Sequence, residues 1–209
     1  HAKTWLLRFV NAEQRVIYRF ICLSRNLTPD RSWDTILTLE GDLAERERAF
    51  SKNHPLGDFV AALAGLAQRP LAEPRQEALA TLADEVRRVR FAPPEPFEDI
   101  VFWPMGIGRR RFPLDGRVDR LLVVSPFLSD GFLSQVADLG GNTLISRPES
   151  LEAVDPAVLK RFSAIHVLDD AAMEEDADAE ESVENATAPA EVGSARGLHA
   201  KLFIADQGW

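Results

Sequence analysis

The chain has 209 residues, of which 45% are hydrophobic, and this is enough for the core of one domain or one and a half. The formal net charge is −9, but residues 169–196 contain ten acidic residues and one basic residue and account for all of it. The rest of the chain is neutral, so its acidity does not exclude a phosphate-bearing partner. The single cysteine, Cys22, excludes an internal disulfide framework and favours a reducing compartment, so we expect a cytoplasmic protein.

The first half of the chain begins with β-rich segments and continues with helical ones. Apolar and β-branched runs separated by short polar turns predict a three-strand meander at residues 1–10, 16–23 and 33–39. Helical spacing of apolar residues then predicts helices at 56–68 and 73–89. Pro93, Pro94 and Pro96 end this pattern, and we place a connecting segment at 93–117.

The second half alternates strand and helix signals. The predicted elements are strand 121–125, helix 131–139, strand 143–146, helix 148–162 and strand 164–168. This order predicts an α/β fold whose mixed sheet is flanked by helices. The acidic segment 169–196 has almost no large apolar residues, so we expect a flexible surface loop there. No apolar run reaches the roughly 20 residues that a membrane-spanning helix needs, so we expect no integral membrane segment.

A repeated tripeptide marks the two ends of the chain. His1-Ala2-Lys3 and His199-Ala200-Lys201 each open a strand-like apolar run, in a chain with only four histidines. Residues i and i+2 of a strand point to the same face, so each pair presents an imidazole beside an ammonium group. Two such pairs facing each other form a cationic pocket with two titratable groups, which suits a phosphodiester without requiring a metal ion.

The second copy extends to His199-x-Lys201-x4-Asp206, and this pattern resembles the phospholipase D superfamily. The resemblance implies two α/β halves about a pseudo-twofold axis, each giving one His-x-Lys strand to a shared site. Residues 1–92 would then be the C-terminal part of the first half, and residues 118–209 the N-terminal part of the second. We therefore expect the chain to be a partial copy of this fold, cut from a longer protein and inactive by itself.

The resemblance also implies a mechanism. One motif histidine attacks phosphorus to form a phosphohistidine, and the other protonates the leaving alcohol and then activates water. The residues leave open whether His1 or His199 is the nucleophile, while Lys3 and Lys201 bind the phosphate oxygens. Covalent catalysis of this kind implies no cofactor and no metal ion.

Three further segments are compared with the family pattern. The first motif has Arg8 where an aspartate is expected, whereas the second keeps Asp206, which we interpret as a supporting salt-bridge partner. Residues 23–28 are similar to the family's Gly-Ser-x-Asn-Leu-Thr, which makes Ser24 and Asn26 supporting residues. Asp34 stands where related proteins often have an acidic residue that hydrogen-bonds a histidine.

The family includes several activities, so the resemblance does not settle the substrate. Three arginines in residues 106–111 and the lack of an amphipathic membrane stripe favour a nuclease-like phosphodiesterase in bacterial DNA processing or defence. A phospholipase or phosphatidyl transferase is the second enzymatic hypothesis. A degenerate, non-catalytic phosphate-binding module is the third, suggested by Arg8 and by Leu23 in place of glycine. A Ser-Pro-Phe turn at 125–127 resembles a segment of bacterial family members, and we interpret it as a family marker.

Overall fold

The structure, a computed structural model, describes residues 3–25, 33–108, 112–114, 118–167 and 197–206. It divides the chain into two compact units. The N-terminal unit comprises residues 4–22 and 37–115, and the motif unit comprises residues 1–3, 23–36 and 116–209. The passage from one unit to the other at residues 115 and 116 falls within the predicted connecting segment, while residues 23–36 are grouped with the distant C-terminal residues.

The N-terminal unit is built on a four-stranded sheet with strand order β1-β2-β3-β4. The strands are β1 (Lys3–Val10), β2 (Val16–Leu23), β3 (Ile36–Leu43) and β4 (Val89–Phe91). Consecutive strands are neighbours, and β4 pairs antiparallel with β3. The predicted third strand was placed three residues too early, because Trp33 forms an isolated bridge with Leu198 instead.

Two helices contribute to the core of this unit. A short 3-10 helix (Ser51–Asn53) leads into α1 (His54–Leu66), and α2 (Glu73–Val86) follows. Both helices have proline in the first turn, where its missing N–H would have no intrahelical partner. The core combines apolar side chains of the strands, the helices and the segment after β4, namely Phe20, Leu39, Leu56, Val86 and Phe102. The predicted second helix extended to Val89, but that residue begins β4.

The motif unit contains a second four-stranded sheet, with strand order β7-β6-β5-β8. Its elements are β5 (Arg120–Val124), α3 (Asp130–Val136), β6 (Gly141–Ser146), α4 (Pro148–Glu152), α5 (Pro156–Leu159), β7 (Ala164–Val167) and β8 (Leu202–Asp206). Strands β5, β6 and β7 run parallel, and β8 runs antiparallel to β5. The sheet is therefore mixed, and the predicted α/β class is confirmed.

One predicted helix of the motif unit is wrong. Residues 148–162 form two short helices, α4 and α5, rather than one long helix. Pro156 lacks the N–H that a continuous helix would need, and the Asp155 carboxylate caps the second helix by accepting from the Ala157 N–H at 2.8 Å.

A buried polar residue fixes the inner face of this sheet. Asn142 on β6 is almost fully buried, donates from Nδ2 to the Ala137 carbonyl at 2.6 Å and accepts from the Ser163 N–H at 2.9 Å. It thereby ties α3 and the start of β7 to the centre of the sheet, among the buried side chains of Leu121 and Leu144.

No helix in the described ranges has both the length and the apolar composition needed to cross a bilayer. The predicted acidic loop, residues 169–196, and the three arginines at 109–111 lie outside the described residues.

Candidate functional site

The second His-x-Lys pair lies at the carboxyl edge of the parallel strands. Strand β8 is antiparallel to β5, with Leu202 opposite Val124, so the residues just before Leu202 reach the ends of β5 and β6. These two strand ends are joined by the Ser146 hydroxyl, which donates to the Ser125 carbonyl at 2.7 Å. Ligands of α/β sheets commonly bind at this edge, because loops rather than strands supply the side chains there.

The backbone around His199 is held by Trp33. The Trp33 N–H donates to the Gly197 carbonyl at 3.1 Å, and the Trp33 carbonyl accepts from the N–H groups of His199 and Ala200 at 2.9 and 2.8 Å. These three hydrogen bonds join segments that are more than 160 positions apart in the sequence. They fix the position of the backbone at the motif histidine. Both segments belong to the motif unit.

Arg147 supports the same segment from β6. It directly follows the strand, and its Nε donates to the Leu198 carbonyl at 3.0 Å. A Cβ atom added at Gly197 would lie 3.0 Å from Nη2 of Arg147, so the close approach favours glycine. Among the described residues, that buried Nη2 atom has no hydrogen-bond partner, which leaves a cationic donor uncommitted beside His199.

Lys201 is anchored by two carbonyl groups. Its ammonium donates to the Ser24 carbonyl at 2.9 Å and to the His199 carbonyl at 3.2 Å. An ammonium has three N–H donors, so one is not committed to these carbonyls. Because the anchors hold the side chain in place, a ligand that accepts this donor meets a group that is already positioned.

A polar network connects Ser24 and Asp34. The buried Ser24 hydroxyl donates to the Asp34 carboxylate at 3.2 Å and accepts from the Thr35 N–H at 2.9 Å. Arg25 forms an ion pair with the same carboxylate. Asp34 therefore orders the segment that supplies the Ser24 carbonyl to Lys201.

The Phe127 ring lies against the charged groups of the site. Its centroid is 6.3 Å from that of the His199 ring, in an edge-to-face arrangement. The Lys201 Nζ and the Arg147 guanidinium carbon lie 5.4 and 5.7 Å from the same centroid, within the range of cation–π attraction. His199 and Lys201 therefore contact one side chain in common, although both precede strand β8.

The electrostatics of the site are dominated by positive charge. Burial lowers the pKa of His199, the Arg147 and Lys201 charges lower it further, and Asp34 opposes them. Burial also lowers the pKa of Lys201; Asp34 raises it, whereas Arg147 and Lys3 lower it. Lys3 of the first motif is therefore close enough for its charge to act on Lys201 of the second.

Four cationic side chains thus cluster around the His199 and Lys201 pair, and in the described part of the chain one carboxylate acts on the same pair. The cations are those of Lys3, Arg25, Arg147 and Lys201, and the carboxylate is that of Asp34. This excess of positive charge favours the neutral imidazole and attracts an anion. Binding a phosphate would offset the repulsion and raise the pKa of His199, so the ligand itself promotes proton uptake.

The structure separates Asp206 from the rest of the predicted site. Asp206 pairs with Arg120 at 2.6 Å, and these two residues are opposite each other at the amino end of β5. Five residues of extended chain span about 16 Å, so this pair lies at the edge of the sheet opposite Lys201. Of the other predicted site residues, Lys3, Ser24, Asp34, His199 and Lys201 belong to the cluster, while His1 and Asn26 lie outside the described residues.

The sequence prediction missed three contributors, namely Arg25, Phe127 and Arg147. Phe127 and Arg147 each follow a predicted strand by one or two residues, and the carboxyl ends of parallel strands meet at one edge. A position directly after a predicted parallel strand could therefore have identified both residues from the sequence. Within the described ranges, no group of three or more His, Cys, Asp or Glu side chains is arranged to hold a metal ion.

Comparisons with known proteins leave the chain without a match, whether to family models, to curated proteins or to solved structures. The resemblance to the phospholipase D superfamily therefore rests on the sequence motifs alone.

Proposed function

We propose that the cluster around His199 and Lys201 binds the phosphate of a phosphodiester and hydrolyses it in a protein with a phospholipase D-like fold. The observation that carries the proposal is the grouping of an imidazole of lowered pKa with four cations contributed by distant parts of the chain. Anchored ammonium and guanidinium groups stabilise the charge that builds up on phosphoryl oxygens during displacement.

The reaction that fits this site has two displacements. A neutral imidazole nitrogen attacks phosphorus, the bond from phosphorus to the leaving oxygen breaks, and the second imidazole gives its proton to that oxygen. Water then attacks the phosphohistidine and loses a proton to the second imidazole, which frees the first. In this proposal His199 supplies one imidazole and His1 the other.

The nuclease-like role in bacterial DNA processing or defence and the cytoplasmic location belong to the same proposal. A non-catalytic phosphate-binding module is the second candidate. It is favoured by Arg8, which occupies the position of the acidic residue in the first motif. The Arg8 guanidinium donates instead to the Glu85 carboxylate of α2, at 2.7 and 3.1 Å.

Metal-independent cleavage of bis-p-nitrophenyl phosphate separates the two candidates. The protein is assayed with a chelator present, alongside its His199→Ala and His166→Ala variants. His166 is an exposed residue of strand β7, so its replacement is the matched control. We expect His199→Ala to lower the rate by about 10²-fold or more and His166→Ala to leave it unchanged. Equal rates in all three proteins would refute the catalytic proposal.

A further inference from the structure

Two large aromatic side chains at the site remain exposed. Trp33 and Phe127 each keep 60% of their surface accessible to solvent. Side chains of this size usually bury most of their 150–250 Å², because apolar surface is unfavourable in water. Exposed rings beside a cationic cluster offer apolar surface that a ligand bound there would cover.

Both aromatic residues are attached to the site by fixed backbone. Trp33 is bound to the His199 segment by three backbone hydrogen bonds of 2.8–3.1 Å. The Phe127 carbonyl accepts from the Ser125 hydroxyl at 2.8 Å, which closes the turn after β5. A ring carried on a fixed backbone loses less conformational entropy when a flat partner stacks on it.

The remaining charges specify the rest of the ligand. Lys201 and Arg147 lie 5.4 and 5.7 Å from the Phe127 ring centroid, so an anion bound by these cations is adjacent to the aromatic surface. A ligand with phosphates and flat, exposed rings at neighbouring positions matches this arrangement. Duplex DNA does not, because its base faces are stacked inside the helix, whereas single strands expose them.

We propose that this site binds single-stranded nucleic acid, with a backbone phosphate at Lys201 and Arg147 and bases stacked on Trp33 and Phe127. The inference rests on the proposed phosphodiester function and names its substrate class. A phospholipid shares the phosphate but has no flat ring to stack, so it uses the cations and not the aromatic faces.

The test compares two ligands of equal charge on the 209-residue chain. Fluorescence anisotropy measures the binding of a labelled ten-residue oligothymidylate and of an abasic strand with the same number of phosphates. Stacking contributes a large free energy per base, so we expect the thymidylate to bind about tenfold more tightly or better. Trp33→Leu and Phe127→Leu should each reduce this preference by about fivefold or more.

Control variants separate stacking from charge and from general damage. Phe97 is 66% exposed but belongs to the N-terminal unit, so Phe97→Leu should leave the preference unchanged. Lys201→Gln should flatten the dependence of affinity on salt, by about 0.7 in the logarithmic slope, while Trp33→Leu and Phe127→Leu keep the wild-type slope. That difference shows that the aromatic variants still fold and still bind phosphate.

Equal affinity for the thymidylate and the abasic strand would overturn the inference, as would a preference that survives in both aromatic variants. Binding to phosphatidylglycerol vesicles with equal affinity for the two strands would assign the site to lipid instead. Preferential thymidylate binding without cleavage of bis-p-nitrophenyl phosphate supports this inference and refutes only the proposed hydrolysis. Cleavage of bis-p-nitrophenyl phosphate without a preference for the thymidylate supports the proposed hydrolysis and refutes this inference.

Discussion

Replacing Glu85 should destabilise the N-terminal unit more than replacing any of its partners. The Glu85 carboxylate accepts from the Tyr18 hydroxyl at 2.6 Å and from two Arg8 nitrogens at 2.7 and 3.1 Å. Tyr18 is fully buried on β2, Arg8 lies on β1 and Glu85 on α2. This one side chain therefore connects the helix to both strands.

The expected magnitude follows from what each variant leaves behind. Glu85→Ala leaves a buried hydroxyl without its acceptor, at a cost of about 2 kcal/mol, and breaks a partly exposed ion pair worth about 1 kcal/mol. We expect a total loss of about 3 kcal/mol in the free energy of unfolding. Tyr18→Phe and Arg8→Ala each remove one partner and should cost about 1 kcal/mol.

Arg8→Asp is the most informative of these variants, because it introduces the residue that the resemblance predicts at this position. It places a carboxylate beside Glu85, so we expect a loss of about 2 kcal/mol, larger than for Arg8→Ala. A gain in stability would show that the motif matters more for the fold than the contact with α2.

Urea denaturation at pH 7, followed by tryptophan fluorescence and circular dichroism, measures these differences. A loss of 3 kcal/mol lowers the midpoint by about 1.5 M at a typical slope of about 2 kcal/mol/M. Arg15→Ala is the matched control, because Arg15 and its partner Asp42 are both largely exposed, and it should cost about 0.5 kcal/mol or less. A Glu85→Ala loss no larger than that of the control would refute the reasoning.

The same contacts predict a dependence on pH. Hydrogen bonding from Arg8, and then from Tyr18, lowers the pKa of Glu85 despite its partial burial. A lowered folded-state pKa means that the contribution is complete above the ordinary glutamate pKa and is lost as the pH falls through the folded value. The difference in stability between the wild type and Glu85→Gln should therefore be large at pH 7 and shrink in acid.

Two other predictions concern the motif unit. NMR titration should give a raised His199 pKa in Arg147→Met, because this variant removes a repelling charge. It should give a lowered His199 pKa in Asp34→Asn, because this variant removes an attracting charge. Unchanged pKa values in both variants would contradict the placement of these groups. Gly140→Ala should lower the free energy of unfolding by about 2 kcal/mol or more, since φ is +58° and the new Cβ would lie 2.2 Å from a backbone oxygen. Gly65→Ala is the control, because a Cβ at Gly65 would meet open space. Denaturation midpoints of the two variants measure the difference.

The elements that the sequence predicts well are those whose signal is local. The apolar run at 121–125 becomes strand β5 because buried parallel strands are apolar on both faces, and the proline at the start of α2 marks that helix correctly. The pairing of Trp33, by contrast, could not be predicted from the local sequence. Its β-branched and aromatic surroundings favour a strand, but its partner Leu198 is 165 positions away and cannot be found by periodicity.

The residues of the candidate site also fall into those that a local pattern predicts and those that depend on the fold. His199 and Lys201 are found from a spacing pattern, which needs no knowledge of the fold. Arg147 and Phe127 carry no pattern and become visible only when β5 and β6 are known to be parallel neighbours, because this topology brings both strand ends to one edge. Asp206 belongs to the pattern, yet the antiparallel pairing of β8 places it at the opposite edge, where it binds Arg120.

Charge counted along the sequence and charge felt by a ligand are different quantities in this protein. The net charge of −9 would argue against an anionic ligand if it were spread evenly. At physiological ionic strength, however, charges act mainly within a Debye length of about 8 Å. Around His199 and Lys201, the described part of the chain places cations from positions 3, 25, 147 and 201, which the carboxylate of Asp34 opposes. A phosphate at this edge is attracted by these four cations, so the affinity for anions should depend on them and on Asp34 and weaken with salt.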